Sequence, residues 1–143
     1  MKIPEKAPGG SLLTNRILNE KGLREIPIIT MAYIGDAVFE LMVRTYMTAA
    51  GKRKIKDIHR DTVELVKAKS QAILVKEIFN ELSEEERNIV KRGRNTKSTP
   101  SKNADIGDYR MSTGFEALLG YLYLKGEDER LLYLFEKALA IVH

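Results

Sequence analysis

The chain has 143 residues, 43% of them hydrophobic and 31% charged, and 24 Lys and Arg against 20 Asp and Glu give a formal charge of +4. That is the make-up of one ordinary soluble domain with its own core, and the mild basic excess permits a polyanionic partner without demanding one. With no cysteine and two histidines, disulfides, Cys-ligated zinc and multi-histidine zinc sites are excluded, so a bound metal must be a hard divalent ion held by carboxylates.

Residues 1–10, with Pro4, Pro8, Gly9 and Gly10, read as a flexible N-terminal arm. They lack the apolar centre of a signal peptide, and no later run approaches the roughly 18 apolar residues of a membrane span, so a cytoplasmic protein without membrane contact is expected. Residues 11–143 read as the folded domain. A short helix over residues 11–20 ends at Gly22. Pro27 opens a long helix that runs to Ala50 and stops at Gly51. After a basic connection over residues 52–56, the spacing predicts one helix over 57–80, with Val63, Val66, Ile73, Leu74 and Ile78 in its apolar positions. Ser83 and Glu86 form a capping-box pattern for a helix over 84–92. Residues 93–107 have loop composition. Asp108 is placed to cap a fifth helix reaching Leu124, Gly126 ends it, and residues 127–142 form the last. The prediction is a single all-α domain of about six helices.

Two acidic residues stand out against their surroundings. Asp36 is the one acid between Glu25 and Glu40, and Glu116 the one acid between Asp108 and Glu127, each in the most apolar part of its helix. An ionised carboxylate in such a segment needs water, a cation or a donor. A divalent cation shared by the two would satisfy both, activating a water and polarising a phosphoryl oxygen. Gly35 beside Asp36, and Gly120 four positions after Glu116 on the same face, allow a second helix or a substrate backbone to come close. The plainer alternative is that each carboxylate faces solvent or pairs with a base such as Arg44 or Arg110.

Residues 91–102 read KRGRNTKSTPSK: Lys91, Arg92, Arg94, Lys97 and Lys102 with no acid, and Asn95, Ser98, Thr99 and Ser101 as neutral donors. Such a segment can follow a phosphate backbone. Without aromatic residues it suits a duplex read by shape and 2′-hydroxyls better than stacked single strands. A second basic zone, Lys52, Arg53, Lys54, Lys56, His59 and Arg60 with Lys67 and Lys69 beyond, is interrupted by Asp57, Asp61 and Glu64 and signals less. Ordinary solvated surface is the competing reading of both.

The segment Ala32-Tyr-Ile-Gly-Asp-Ala-Val-Phe39 resembles the first signature helix of the ribonuclease III family, and Ser112-Thr-Gly-Phe-Glu-Ala-Leu-Leu-Gly-Tyr-Leu-Tyr123 resembles the second. Between them, Ala68-Lys-Ser-Gln-Ala72 and Lys91-Arg-Gly-Arg-Asn-Thr-Lys-Ser98 are similar to the Mini-III branch. The resemblance covers roughly residues 28–142. It implies a homodimeric ribonuclease III-type catalytic domain without the usual double-stranded RNA-binding domain. Asp36 and Glu116 are then catalytic metal ligands for Mg2+, with Mn2+ able to substitute. Two further family carboxylates are absent, their positions being Ala32 and Thr113. Thr113 or Glu40 would at most assist. Tyr33 and Phe39 are candidates for either a subunit interface or a monomer core.

The implied function is endonucleolytic hydrolysis of double-stranded RNA by in-line attack, leaving 5′-phosphates. The implied role is maturing the ends of 23S ribosomal RNA precursor, a large-subunit ribosomal protein helping to present it. RNA contacts are expected from Lys69, Lys91, Arg92, Arg94, Asn95, Lys97, Lys102 and Arg110. The alternatives are a non-catalytic helical module that binds structured RNA or a ribosomal protein, and a purely structural helical dimer.

Overall fold

The computed structural model describes residues 18–96 and 105–142. Within them the chain forms seven α-helices and no strand: α1 (Glu20–Arg24), α2 (Ile28–Ala49), α3 (Ile55–Val66), α4 (Ala68–Ile78) continued by a 3-10 turn (Phe79–Glu81), α5 (Glu84–Arg94), α6 (Ile106–Lys125) and α7 (Asp128–Val142). None is long and apolar enough to cross a membrane. The all-α expectation holds; the count rises because the expected third helix is two.

Lys67, with φ −66° and ψ 155°, breaks that helix without glycine or proline. Side chains satisfy the carbonyls the break exposes: Ser70 Oγ donates to the Glu64 carbonyl at 2.8 Å and Gln71 Nε2 to the Val66 carbonyl at 2.7 Å. The break re-phases the apolar stripe. Leu74 and Ile78 are buried as expected, whereas Val63 and Ile73 are about half exposed.

Other boundaries shift for local reasons. The described part of the expected first helix is Leu18 to Glu20; α1 itself begins there, capped by Asn19, and runs through Gly22. Pro27 precedes α2 as its N-cap. The Ser83–Glu86 capping box is present, and α5 continues past Arg92 to take in Gly93 and Arg94. Asp105, not Asp108, caps α6, accepting from the Asp108 amide at 2.9 Å. Gly126 ends α6 with φ 80°, a left-handed conformation that glycine adopts without strain.

Helix α6 is the centre, buried almost continuously from Ser112 to Leu122, with α2, α4, α5 and α7 packed around it. Two of those contacts are backbone against backbone. A Cβ on Gly35 would lie 1.6 Å from the Glu116 carbonyl oxygen, and one on Gly120 would lie 1.8 Å from that of Met31. On another flank, a Cβ on Gly114 would come within 2.6 Å of the Val90 carbonyl, and one on Gly93 within 2.8 Å of Gly114 Cα. Phe39 and Phe115 lie edge to face at 5.1 Å beneath the first crossing, and Phe135 of α7 meets Phe39 at 6.2 Å. Arg130 ties α7 to the start of α5: its Nε and a terminal nitrogen reach the two Glu86 carboxylate oxygens at 2.8 and 2.7 Å.

Glycine-to-alanine changes should therefore have opposite signs at two helical positions. Gly120→Ala forces the α2–α6 backbones apart and should cost about 3 kcal/mol or more, beyond the usual range for overpacking because the obstacle is backbone. At Gly22, where a Cβ finds contacts no closer than 3.4 Å, alanine should be neutral or add up to about 1 kcal/mol. Thermal or urea unfolding of the two variants checks the contrast.

Candidate active site

The α2–α6 crossing decides where the two lone carboxylates go. Asp36 follows the glycine that touches the Glu116 carbonyl, and Glu116 precedes by one helical turn the glycine that touches Met31. The two side chains thus emerge side by side at the crossing, near enough for the Asp36 carboxyl to act on that of Glu116. Asp36 is exposed and Glu116 half-buried. Neither forms an ion pair with Arg44 or Arg110; Arg44 meets Glu40 at 3.1 Å.

Burial, first, and then the hydrogen bond and negative charge of Asp36 push the Glu116 carboxyl up from 4.5 to about 8; Gln71 acts in the opposite direction. Gln71 Nε2 approaches Glu116 Oε2 at 3.5 Å. Two adjacent carboxylates at the edge of a core, one of them held close to neutrality by its surroundings, form an electrostatic problem that a divalent cation solves. The donor set fits a hard ion that takes one or two protein carboxylates and completes its shell with water and phosphate oxygens. Among the described residues no third histidine or acidic side chain joins this pair.

The positions that differ from the fuller family pattern add nothing to the pair. Ala32 is buried in the core, and Thr113 is buried with its hydroxyl donating to the Tyr109 carbonyl at 3.0 Å. Glu40 is occupied by Arg44. Phe39 belongs to the monomer core at 1% exposed, while Tyr33 is 77% exposed, which separates the two residues that sequence left together.

The expected RNA contacts are distributed unevenly. Lys69 is exposed on the first turn of α4, two residues before Gln71. Lys91, Arg92, Arg94 and the C-cap Asn95 lie at the end of α5, all exposed, with Arg94 Nε donating to Asn95 Oδ1 at 3.2 Å. Arg110 is exposed near the start of α6. Lys97 and Lys102 lie outside the described residues. The glycine contacts that seat α5 and α2 on α6, at Gly114 and Gly120, point about 120° apart around its axis, so the basic end of α5 occupies a different flank from the carboxylates. The second basic zone is compensated in part: Arg53 pairs with Asp61, Arg60 with Asp57 and Asp61, and Lys67 with Glu64.

A cleft of about 850 Å³ between α1, α5 and the end of α6 contains neither carboxylate. The pair instead sits at the edge of the core, Asp36 exposed and Glu116 half-buried. Gln71 is the site neighbour that sequence reading passed over. Its signal was an amide in the stripe that also carries Val75 and Ile78, both at most 1% exposed.

Comparison with known proteins identifies the family. The family model described as "Ribonuclease III domain" matches residues 30–127, which include both carboxylates. A protein named Mini-ribonuclease 3 from Thermoanaerobacter sp. is 45% identical over 96% of this chain and 98% of its own length. Another of that name, from Clostridium tetani, is 49% identical over 78% of this chain and 76% of its own. A crystal structure of a Fusobacterium nucleatum protein superposes with a TM-score of 0.76 at 29% identity, covering 85% of this chain and 98% of that one.

The raised Glu116 carboxyl sets a pH dependence of stability. Unfolded, the group ionises near 4.5; folded and without a cation, it keeps its proton to about 8. Between those values the folded chain binds more protons, so this group's stabilisation is complete below the lower value and is lost as pH rises to the upper one. In a chelating buffer the thermal midpoint should fall between about pH 5 and 8, and Glu116→Gln should flatten that fall. A wild-type profile already flat across the window would contradict the arrangement.

Proposed function

The chain belongs to the ribonuclease III family and is an endoribonuclease; from that premise we propose that it hydrolyses double-stranded RNA at the Asp36–Glu116 pair with Mg2+ as cofactor, Mn2+ substituting. Members of the family act on double-stranded RNA, generally depend on a divalent metal and usually dimerise. The observation that carries the proposal is the convergence of two otherwise isolated carboxylates at the α2–α6 crossing.

In this reading Asp36 and Glu116 hold the cation, which when bound supplies Lewis-acid activation of water and of the scissile phosphate. The packed helices keep the two carboxylates in register, so little reorganisation is needed when RNA arrives. Lys69, exposed on the first turn of α4, takes a phosphate of the duplex by charge. Lys91, Arg92, Arg94, Asn95, Lys97, Lys102 and Arg110 grip the duplex further along, by charge and shape. The separate flank that carries Lys91, Arg92, Arg94 and Asn95 suits an extended substrate that runs past more than one helix.

The outward face of α2 supports a homodimer. Ile29, Tyr33 and Leu41 are 43%, 77% and 66% exposed, and they recur at the four-residue spacing of one helical stripe that also includes exposed Ala37. Two copies meeting there would present two carboxylate pairs to one duplex and cut opposite strands. The physiological substrate we propose is the paired stem at the ends of 23S ribosomal RNA precursor in the bacterial cytoplasm, with a large-subunit ribosomal protein assisting. Its products carry 5′-phosphates.

The deciding experiment is cleavage of a duplex RNA with Mg2+ by wild type, Asp36→Asn and Glu116→Gln. Wild type should cut, and each variant should lose at least about 100-fold in rate while still shifting the RNA in a gel. A wild type that shifts RNA and never cuts it would favour the binding-module alternative. Arg92→Ala and Arg94→Ala should each weaken duplex binding and flatten the salt dependence, lowering the log–log slope by about one. Unchanged slopes would remove those residues from the interface.

A further inference from the structure

We propose that Gln71 is a positioning residue for Glu116, holding that carboxylate in the orientation from which it meets a cation beside Asp36. This rests on the reading of Glu116 as a cation ligand. Gln71 is 2% exposed, and its neighbours along the same stripe of α4 are apolar. Its Nε2 lies 2.7 Å from the Val66 carbonyl and 3.5 Å from Glu116 Oε2. A carbonyl accepts and cannot donate, so the short contact fixes which end of the amide faces it; the flipped amide would press two acceptors together. One hydrogen of the amide is thereby used on Val66, and the other is directed at Glu116.

The opposite end of the amide is anomalous. Gln71 Oε1 is buried and has no hydrogen-bond partner among the described residues. An acceptor left unmatched out of water destabilises the fold, and a leucine or methionine at this position would avoid that cost. Capping the exposed end of α3 accounts for one amide hydrogen, and Ser70 does the same for the Glu64 carbonyl. It does not account for the second hydrogen aimed at Glu116. At 3.5 Å that contact is long, so its effect is mainly directional. It favours the ionised carboxylate and restrains one of its oxygens. The same amide joins the α3–α4 break to the site, so the geometry of the break is transmitted to Glu116.

The test separates positioning from capping. Gln71→Met keeps the volume and removes the donor; Gln71→Asn keeps the amide but withdraws it by one methylene. Ser70→Ala removes the neighbouring cap without touching Glu116. For each, three quantities are measured: the thermal midpoint, the Mn2+ dissociation constant without RNA by electron paramagnetic resonance, and the Mg2+ concentration that half-saturates duplex cleavage. Both Gln71 variants should raise the two cation values by about 10-fold, the lower end of the effect expected for a residue supporting a ligand. Ser70→Ala should lower the midpoint and leave both cation values at wild type.

Wild-type cation values in a folded Gln71→Met or Gln71→Asn would overturn the proposal. So would a Ser70→Ala shift as large as theirs. Glu116→Gln separates the two levels of inference. If it abolishes Mn2+ binding and cleavage while the Gln71 variants match wild type, Gln71 has no positioning role and the site stands. If it leaves Mn2+ binding and cleavage intact, the site falls and the role of Gln71 falls with it.

Discussion

The rest of the molecule depends on the direct contact between the backbones of α2 and α6. Side chains normally hold helix axes 8 to 10 Å apart, and the missing Cβ atoms of Gly35 and Gly120 remove that spacer. Glycine in a helix interior is unfavourable on propensity alone, by about 1 kcal/mol each. Close packing of the flanking apolar residues offsets this, with Phe39 and Phe115 set edge to face just beneath the crossing. A similar device at Gly93 and Gly114 seats α5 on another flank of α6, which makes α6 a spine with two tight contacts along its length.

That geometry has an electrostatic consequence. Each glycine contact lies within one helical turn of a carboxylate, so bringing the backbones together also brings the negative charges together. The packing that stabilises the fold thus creates a local repulsion that the fold alone does not relieve. Part of it is relieved by keeping a proton on Glu116. Strongly perturbed carboxyls of this kind cluster at functional sites. The Arg130–Glu86 pair is the contrasting case. Its charges are matched within the chain, its bonds are short, and Arg130 holds Glu86 below the usual carboxylate range.

How much of this was legible in sequence depended on whether the signal was local. Asp36 and Glu116 could be found because a single acid in an apolar helix violates a strong local rule. The Ser83–Glu86 box and the stop at Gly126 were readable for the same reason, since a cap is written in a few adjacent residues. The break at Lys67 was not, because Ser70 and Gln71 hold it from three and four positions further on, and no glycine or proline announces it. That missed break is what misplaced Val63 and Ile73. Asp105 and Asp108 are equivalent candidates by composition, and the start of α6 chose the earlier one. Tyr33 and Phe39, six positions apart on one helix, became distinguishable once α6 and α7 had claimed one face of α2 and left the other in water.

Asp36 borders the exposed stripe of α2, one helical turn from Tyr33, and is itself exposed. Covering that stripe with a second copy would dehydrate its border, and the lone anion there would gain more from a counter-ion than it does in open water. Association and ion uptake would then be thermodynamically linked, each strengthening the other by the same factor. Dilution would loosen the ion and chelation would loosen the dimer, so mass action would place the working enzyme where both protein and cation are plentiful.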